Sequence, residues 1–436
     1  MTEARRVVIV GACLAGLRAA EALRDAGYAG ALTLVGDEPY PPYDRPPLSK
    51  QVLGGWVGPY RTRLPRLRSV GATWRLGVAA AGLDRDRRVV QLADGDEIAF
   101  DRLIVATGTR ARRWPDPDQA MLAGVHTLRT CDDAAAVLRD LETARRVLVI
   151  GAGFTGCEVA SGCRDRGLAV TAVEINDAPL LPQLGALVAD HARALQERAG
   201  VDLRCRTRVT ELVGRAGRLV GARLDDGDEI EADVAVVCLG AVRNTEWLAG
   251  GGFDIGPLGV ACDLRGRALR AGGEPDPDVF VCGDAAHAPN DFASGRLLSV
   301  EHWGAAVEQA KVVAANIATP DSARIGSDPP RFWSMQFGAN FKSVGMPPHA
   351  DEVMLVQGAI ESGRFVALYG RAGVVVGAVA VNHAQWLPFY ERDVVGRGAF
   401  PPSYRVVDPP SDPLRQPARF TNLPASSPRR ASIAAH

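Results

Sequence analysis

Lysine is nearly absent from this sequence. Of its 50 basic residues only Lys50, Lys311 and Lys342 are lysines, and the rest are arginines. The simplest explanation is a GC-rich coding bias. A compact ammonium and a planar guanidinium nevertheless do different work, so each position that has kept a lysine is a candidate for a specific role.

The chain also lacks an excess of charge and any long apolar run. Its 51 acidic residues balance the 50 basic ones, so there is no general field for holding a polyanion, and we expect no nucleic-acid partner. No segment approaches the roughly 18 apolar residues that cross a bilayer, so we expect no membrane association. The stretch from Arg5 to Leu17 superficially resembles a signal peptide, but its glycine pattern favours a buried strand and turn.

Cysteine pairs and clusters of metal ligands are missing as well. The eight cysteines are scattered without a C-x-x-C pair, and the seven histidines show no ligand spacing. We therefore expect no disulfide framework, no metal site and a reducing, cytoplasmic location. What the chain does have is size, because 436 residues correspond to about three domains at roughly 150 residues each.

A first nucleotide-binding pattern lies near the start. Residues 5–10 are an apolar run that predicts a buried parallel strand, residues 11–16 read Gly-Ala-Cys-Leu-Ala-Gly, and a helical pattern follows. The free N–H groups at the start of such a helix bind phosphate. A second strand at 32–35 leads to Asp37 and Glu38, either of which is placed to hold ribose hydroxyls.

The first pattern has one irregularity, because Cys13 stands where the middle glycine of the motif would let the backbone approach a pyrophosphate. Its side chain would crowd the ligand, be absorbed by a small loop shift, or mark lost binding. We expect absorption because the other signals are intact.

The same plan recurs in a complete form. A strand at 146–150 precedes Gly-Ala-Gly-Phe-Thr-Gly at 151–156, and a strand at 169–173 ends in Glu174. An acid about 20 residues after the first glycine holds the ribose of a dinucleotide. A 2'-phosphate would be repelled by Glu174, and residues 175–177 supply no arginine, so NAD(H) is favoured over NADP(H).

Three further segments have distinctive sequences. They are Tyr-Asp-Arg-Pro-Pro-Leu-Ser-Lys at 43–50, Glu-His-Trp-Gly-Ala-Ala-Val-Glu-Gln at 301–309, and Phe-Trp-Ser-Met-Gln at 332–336. Together with the two nucleotide patterns, and with a strand at 278–284 that ends in Gly-Asp, they resemble the FAD-containing, NADH-dependent ferredoxin reductases of bacterial cytochrome P450 and ring-hydroxylating dioxygenase systems. The resemblance covers residues 5–409. Cys13 and Met335 depart from the family's usual pattern.

The resemblance implies an α/β fold with two Rossmann-like dinucleotide-binding domains and a C-terminal α+β domain. The FAD-binding domain would comprise residues 1–115 and 245–326, interrupted by an NAD-binding domain at 116–244. The C-terminal domain would cover 327–408, with strands at 364–369 and 373–381. The tail, 409–436, is expected to be disordered because it has little apolar periodicity.

The resemblance also implies which residues bind the two nucleotides. For FAD they are Gly11, Cys13, Ala15, Gly16, Asp37, Glu38, Arg45, Lys50, Ala80, Ala106, Thr107, Gly108, Arg129, Gly283, Asp284, Glu301, His302 and Trp303. For NADH they are Gly151, Gly153, Phe154, Thr155, Gly156, Glu158, Glu174 and Gly240.

Three catalytic residues follow from the same comparison: Lys50, Glu158 and Trp333. A fixed ammonium on Lys50 beside the flavin ring would favour the reduced flavin, and Glu158 would hold that ammonium. Trp333 would lie near the flavin and the ferredoxin contact. The simpler interpretations are a surface lysine, a solvated helix-face acid and ordinary aromatic packing of Trp333 in the core.

Residues 39–55, where related disulfide reductases and peroxidases carry redox cysteines, contain no cysteine. The flavin is therefore expected to pass electrons directly to an iron-sulfur ferredoxin that supplies a cytochrome P450 or another oxygenase, with the reductase a monomer or weak dimer. The alternatives are an NADH oxidase or diaphorase that uses oxygen or a small acceptor, and a redox-sensing flavoprotein without a ferredoxin partner.

A local basic run, formed by Arg61, Arg63, Arg66 and Arg68, follows the Lys50 segment. Such a run is usually a solvated face. The functional alternative is a docking patch for an acidic ferredoxin, which would mainly raise the association rate.

Overall fold

The computed structural model describes residues 6–323, 325–326, 328–404, 406–410 and 414–420. Its helices are α1 Leu14–Asp25, α2 Pro117–Ala120, α3 Cys131–Leu141, α4 Phe154–Asp165, α5 Leu181–Arg198, α6 Trp303–Ala318 and α7 Leu387–Gly396. The strands are β1 Arg6–Val10, β2 Ala31–Gly36, β3 Thr73–Leu76, β4 Ala80–Asp84, β5 Val89–Leu92, β6 Glu97–Ala99, β7 Arg102–Val105, β8 Thr109–Ala111, β9 Val125–His126, β10 Arg146–Ile150, β11 Ala169–Glu174, β12 Asp202–Cys205, β13 Val209–Arg215, β14 Arg218–Leu224, β15 Glu229–Glu231, β16 Val234–Val237, β17 Ala241–Arg243, β18 Ile255–Gly256, β19 Gly259–Ala261, β20 Arg267–Leu269, β21 Pro275–Val281, β22 Ala286–Pro289, β23 Leu297–Leu298, β24 Arg331–Gln336, β25 Ala339–Gly345, β26 Glu352–Ala359, β27 Arg364–Arg371, β28 Val374–Val381 and β29 Arg415–Pro417.

The first sheet has the order β20-β21-β7-β1-β2-β3 and is parallel except for β20. Because successive side chains of a strand point to opposite faces, Val7 and Ile9 pack against α1 and α6. Val8 and Val10 belong to the core on the other face, with residues of β4 and β5. Covering on both faces explains why β1 is apolar at nearly every position.

The second sheet, in the order β12-β11-β10-β16-β9, is parallel throughout. Its central strand β10 leads directly into α4, as β1 leads into α1. The chain enters this unit after β8 and leaves it before β17, and these two short strands pair with each other. The structure therefore has one nucleotide-binding fold inserted in another, as the sequence predicts.

The C-terminal sheet has the order β24-β25-β28-β27-β26-β29 and is antiparallel. One of its faces packs against α5 of the second unit through Leu184 and Val188, and the other packs against α7 through Tyr390 and Val394. The α5 segment is interrupted at Gly185, where φ is 72°. The expected strands at 364–369 and 373–381 correspond to β27 and β28.

The segment after residue 409 differs in part from the expectation of a disordered tail. Arg415–Pro417 forms β29, which pairs with β26 at the edge of the C-terminal sheet. Beyond it, Ala186 donates its backbone N–H to the Arg419 carbonyl, and Phe420 joins the core that contains Tyr369. The prediction for 411–413 and 421–436 lies outside the described residues.

Membrane insertion finds no support in the helices of the described ranges. None of them is both long enough and apolar enough to cross a bilayer.

Candidate active site

The first glycine turn is built for close backbone approach. A Cβ on Gly16 would lie 1.9 Å from the Gly11 carbonyl oxygen, and one on Gly11, whose φ is 119°, would lie 2.1 Å from the Ala106 oxygen. A Cβ on Gly283 would meet that of Ala15 at 3.0 Å. Residues 11–16, 106–108 and 283–284 therefore come together around the start of α1, as the assignment to FAD requires.

Cys13 causes no backbone strain. It is the N-cap of α1 with an extended backbone (φ −118°), and its thiol lies 3.8 Å from the Tyr43 carbonyl. In the second motif a Cβ on the equivalent Gly153 would meet nothing nearer than 4.0 Å. The protein itself therefore accommodates a side chain at this position, which supports absorption rather than lost binding.

The two candidate ribose acids, Asp37 and Glu38, have different surroundings. Glu38 accepts hydrogen bonds from Tyr43 and Arg45, both at 2.5 Å. Arg45 also donates to the Arg129 carbonyl at 2.8 Å. Asp37 is exposed, whereas Glu38 is partly buried.

A charged group lies on the other side of this turn. Asp284 accepts a hydrogen bond from the Arg129 guanidinium at 2.9 Å, and Thr109 lies at 3.5 Å from the same oxygen. The backbone N–H of Gly283 donates to Gln309 at 2.8 Å. Helix α6, the strand end at 281–284 and Arg129 are thus fixed relative to one another.

His302 has a buried ring nitrogen without a hydrogen-bond partner. Its Nδ1 is buried without a hydrogen-bond partner, and burial lowers its pKa to about 4, so the ring is neutral at pH 7. A buried polar atom without a partner is costly. His302 lines the space between Arg129 and Trp303, which fits a polar ring system such as the flavin of FAD.

The second glycine turn repeats the geometry of the first. A Cβ on Gly156 would lie 1.9 Å from the Gly151 oxygen. Glu174 holds the turn, because it accepts from the Ala152 N–H at 2.7 Å and from the backbone and side chain of Asn176. The carboxylate expected at the ribose therefore also fixes the glycine turn.

A large cavity of about 1250 Å³ extends from this turn. Its walls include Gly153, Phe154, Thr155, Glu174 and Gly240, all predicted from the sequence. The polar wall residues that the sequence did not predict include Gln183, whose Oε1 is buried without a partner, and Arg208. Neither lies in a motif, so only the fold brings them to the cavity.

A smaller cavity of about 230 Å³ adjoins the large one, and the two share Arg129, Phe154, Glu301, His302 and Phe332. The Phe154 and Phe332 ring centroids are 4.6 Å apart. The smaller cavity is also lined by Lys50, Glu158, Trp303 and Trp333. Predicted FAD, NAD and catalytic residues therefore face one connected space.

A buried ion pair lies in this smaller cavity. Lys50 donates to Glu158 at 2.8 Å and to the Pro46 carbonyl at 3.2 Å, and the Lys50 and Glu158 side chains are 10% and 5% exposed. Glu158 also accepts from Ser49 at 2.5 Å and from Ser334 at 2.6 Å. The pairing of Lys50 with Glu158 was expected, whereas both serines were missed.

Two indoles lie beside the ion pair. Trp303 donates its Nε1–H to Asp44 at 3.0 Å, and burial raises the pKa of that carboxyl group. The Trp303 and Trp333 rings are 6.3 Å apart, and Trp333 is 43% exposed. Trp333 thus belongs to the cavity wall and to the surface at once, which does not fit ordinary core packing.

Some predicted residues serve other contacts. Thr107 donates its hydroxyl to the Asn244 carbonyl, and its own carbonyl accepts from the Asn244 side-chain amide. These bonds join the segment before the inserted unit to the segment after it. Ala80 is in β4 and lines neither of the two cavities. Phe341 is fully buried in the core against α5.

The fold and these two turns define an oxidoreductase with two dinucleotide-binding domains. A family model described as pyridine nucleotide-disulphide oxidoreductase matches residues 5–310, and one described as reductase C-terminal matches residues 331–417. The chain belongs to the pyridine nucleotide-disulphide oxidoreductase family, and its cofactors are FAD and NAD(H).

The relatives are consistent in their descriptions. Rhodocoxin reductase of Rhodococcus erythropolis is 37% identical over 86% of each chain. The ferredoxin reductase component of chlorobenzene dioxygenase from Cupriavidus sp. is 34% identical over 93% of this chain and 96% of its own. The resemblance to ferredoxin reductases of oxygenase systems is therefore confirmed.

Solved structures agree with the sequence relatives. The ferredoxin reductase for the CYP199A2 system from Rhodopseudomonas palustris has a TM-score of 0.82 at 30% identity, covering 89% of this chain and 94% of that one. The covalent putidaredoxin reductase–putidaredoxin complex has a TM-score of 0.84 at 27% identity, covering 91% and 94%. The α/β fold with an added C-terminal domain is thus confirmed.

Proposed function

We propose that this enzyme takes electrons from NADH and passes them through FAD to an iron-sulfur ferredoxin that supplies a cytochrome P450 or another oxygenase. The observation that carries the proposal is the connected space in which the predicted FAD and NAD residues share walls and the Trp333 indole reaches the surface. Relatives of similar length are named as ferredoxin reductase components.

FAD supplies the chemistry that the side chains lack, because it accepts two electrons together and can release them one at a time. The residues of the chain hold and orient it. The turn at Gly11 and Gly16 admits the pyrophosphate, Asp284 with Arg129 meets the sugar chain, and His302 offers its unpaired Nδ1 to the ring. Lys50 supplies a fixed positive charge that favours the negative charge of the reduced flavin.

NADH is placed by the second turn. Gly151, Gly153 and Gly156 admit its pyrophosphate at the start of α4, and Glu174 is positioned to accept from the ribose hydroxyls. The carboxylate disfavours a 2'-phosphate. Residues 175–177 provide no cation for a 2'-phosphate, but Arg208 lines the same cavity. The enzyme therefore prefers NADH without excluding NADPH.

Direct transfer from flavin to the acceptor is supported by the state of the thiols. All eight cysteines lie in described residues and are free. Burial raises the pKa of Cys163, Cys238 and Cys282 to about 12. A thiol that remains protonated is a poor nucleophile, so none of these three is suited to a dithiol relay.

The domain organisation follows from the assignment of FAD to the first glycine turn and of NADH to the second. We place FAD binding in 1–115 and 245–326, NADH binding in 116–244 and the C-terminal domain in 327–408, extended by β29. The protein would act in the cytoplasm as a monomer or weak dimer, which sedimentation of the purified enzyme tests directly.

The decisive experiment is NADH-driven reduction of cytochrome c with and without a [2Fe-2S] or a [3Fe-4S] ferredoxin, with oxygen consumption followed in parallel. We expect one of the two ferredoxins to raise cytochrome c reduction at least tenfold. No stimulation by either, together with rapid oxygen consumption, would instead identify an NADH oxidase. A bound flavin that NADH does not reduce would indicate a redox-sensing protein.

A further inference from the structure

Strand β24 is the edge of the C-terminal sheet nearest to α4, and its side chains alternate. Trp333 and Met335 are exposed on one face, whereas Ser334 and Gln336 are buried on the other, at 0% and 2% exposure. Ser334 of the buried pair contacts α4 of the second nucleotide-binding unit. Ser334 donates to Glu158, and the Gln336 amide donates to the Ser334 hydroxyl at 3.2 Å.

The two oxygens of Glu158 have different partners. Oε2 accepts from both Lys50 and Ser49, whereas Oε1 accepts from Ser334. A buried ion pair is stable only if its remaining lone pairs are also satisfied, because each charge has lost its water. Ser334 therefore fixes the rotation of the carboxylate, and the carboxylate fixes the Lys50 ammonium.

We propose that Ser334 is a positioning residue through which the C-terminal domain aligns the Lys50–Glu158 pair for electron transfer from NADH. The inference rests on the proposed function, because it assigns the alignment to the reaction between the two nucleotides. Lys50 precedes the inserted unit, Glu158 lies within it and Ser334 follows both. The ion pair thus takes its correct geometry only when all three parts of the chain are docked.

A second serine separates this role from simple docking. Ser161, one turn along α4, accepts the Phe337 N–H at 2.7 Å. It ties the same helix to the same β24–β25 hairpin and is also buried, at 7% exposure. Because none of its hydrogen bonds involves Glu158 or Lys50, Ser161→Ala is a matched control for Ser334→Ala.

The scarcity of lysine provides a readout that does not depend on activity. Brief acetylation of the FAD-loaded enzyme, followed by mass spectrometry, reports Lys50 against Lys311, which is 57% exposed and pairs with Glu308 on its own helix. In Ser334→Ala one oxygen of Glu158 loses its hydrogen-bond partner, so the carboxylate holds the Lys50 ammonium less firmly. We expect acetylation of Lys50 to become about tenfold faster relative to Lys311, as for loss of a hydrogen bond to a charged group, and to stay unchanged in Ser161→Ala.

The second measurement is stopped-flow reduction of the bound FAD by NADH, without ferredoxin. We expect Ser334→Ala to slow reduction about tenfold at an unchanged Kd for NADH, and a redox titration of the same variant to give a lower flavin midpoint potential. If Ser334→Ala binds FAD poorly, Gln336→Met, which removes only the amide that orients the Ser334 hydroxyl, should shift both readouts in the same direction by a smaller factor.

Identical behaviour of Ser334→Ala and Ser161→Ala in both measurements would overturn the inference and leave Ser334 as a docking contact. Failure of the proposed function is distinguishable. An inactive ferredoxin assay leaves both measurements intact, and a wild-type flavin that NADH does not reduce still leaves acetylation of Lys50 to decide the role of Ser334.

Discussion

Lys50 is held from two directions, by the Glu158 carboxylate and by the carbonyl of Pro46. The hypothesis that this lysine has a specific role comes from the sequence, in which lysine is rare, and from the motif that ends at residue 50. The burial and the pairing at 2.8 Å agree with it. Its effect on the flavin remains a prediction.

At this position arginine should not replace lysine. A guanidinium is planar and larger than an ammonium, and the cavity here is about 230 Å³ and lined by two tryptophans. We expect Lys50→Arg to slow flavin reduction by NADH about tenfold, or about 1.4 kcal/mol in the barrier, with FAD content unchanged. Stopped-flow absorbance measures this rate.

The matched control is Lys311→Arg. Lys311 is exposed and pairs with Glu308 on the surface of α6, where an arginine makes the same contact. An equal loss in both variants would show that arginine acts through folding rather than at the flavin.

Among the elements, the two strand–turn–helix units are the best predicted, because glycine spacing reports a local backbone requirement. The contacts of β24 with α4 could not be predicted in the same way. Its alternation suggests one buried face, but the partner of Ser334 lies 176 positions earlier. Trp303 and Asp44, 259 positions apart, meet for the same reason, since only the packed fold joins them.

The turns provide a paired prediction. In each, a Cβ on the last glycine would lie 1.9 Å from a backbone oxygen, which the turn cannot accommodate. We expect Gly16→Ala to yield protein without FAD, and Gly156→Ala to retain FAD but lose NADH binding by at least tenfold. Flavin absorbance and NADH titration distinguish the two outcomes.

Gly256→Ala is the control for both substitutions, because a Cβ there meets nothing within 4 Å and the backbone is not left-handed. Loss of FAD in Gly156→Ala would mean that the two turns are not independent sites.

For the whole molecule, the arginine run is only partly available as a docking patch. Arg68 pairs with Asp25, and Arg66 stacks on Trp74 at 5.3 Å. All four arginines are exposed, but Arg61 and Arg63 take part in neither of these contacts. The hypothesis of an electrostatic docking patch therefore narrows to Arg61 and Arg63.

Charge reversal tests the narrowed patch. We expect the double variant Arg61→Glu, Arg63→Glu to slow ferredoxin reduction severalfold at low salt through a lower association rate. NADH oxidation by ferricyanide should not change. The reversal Arg215→Glu, Arg218→Glu, at the exposed β13–β14 hairpin, changes the net charge equally and should leave both rates intact. Equal losses with the two acceptors would contradict a docking role.

The global organisation was largely predictable because the motifs occur in an order that only an insertion explains. Strand β29 could not be predicted, because residues 409–420 are rich in proline and arginine and lack an alternating apolar pattern. The strand forms because Arg415–Pro417 meets the unpaired edge of β26, a contact between segments about sixty positions apart. The local composition of a segment does not predict such a long-range pairing.

The pairing of β8 with β17 has a practical consequence for engineering. Ala111 and Ala241 are direct partners in that ribbon, so the chain leaves and re-enters the FAD unit across a gap of about 5 Å. Residues 112–240 form a cassette whose two ends are already side by side. A nicotinamide-binding unit from another relative could be spliced at these points without a linker, so the electron donor becomes exchangeable as long as the new unit keeps Glu158 and the α5 face that packs against the C-terminal sheet.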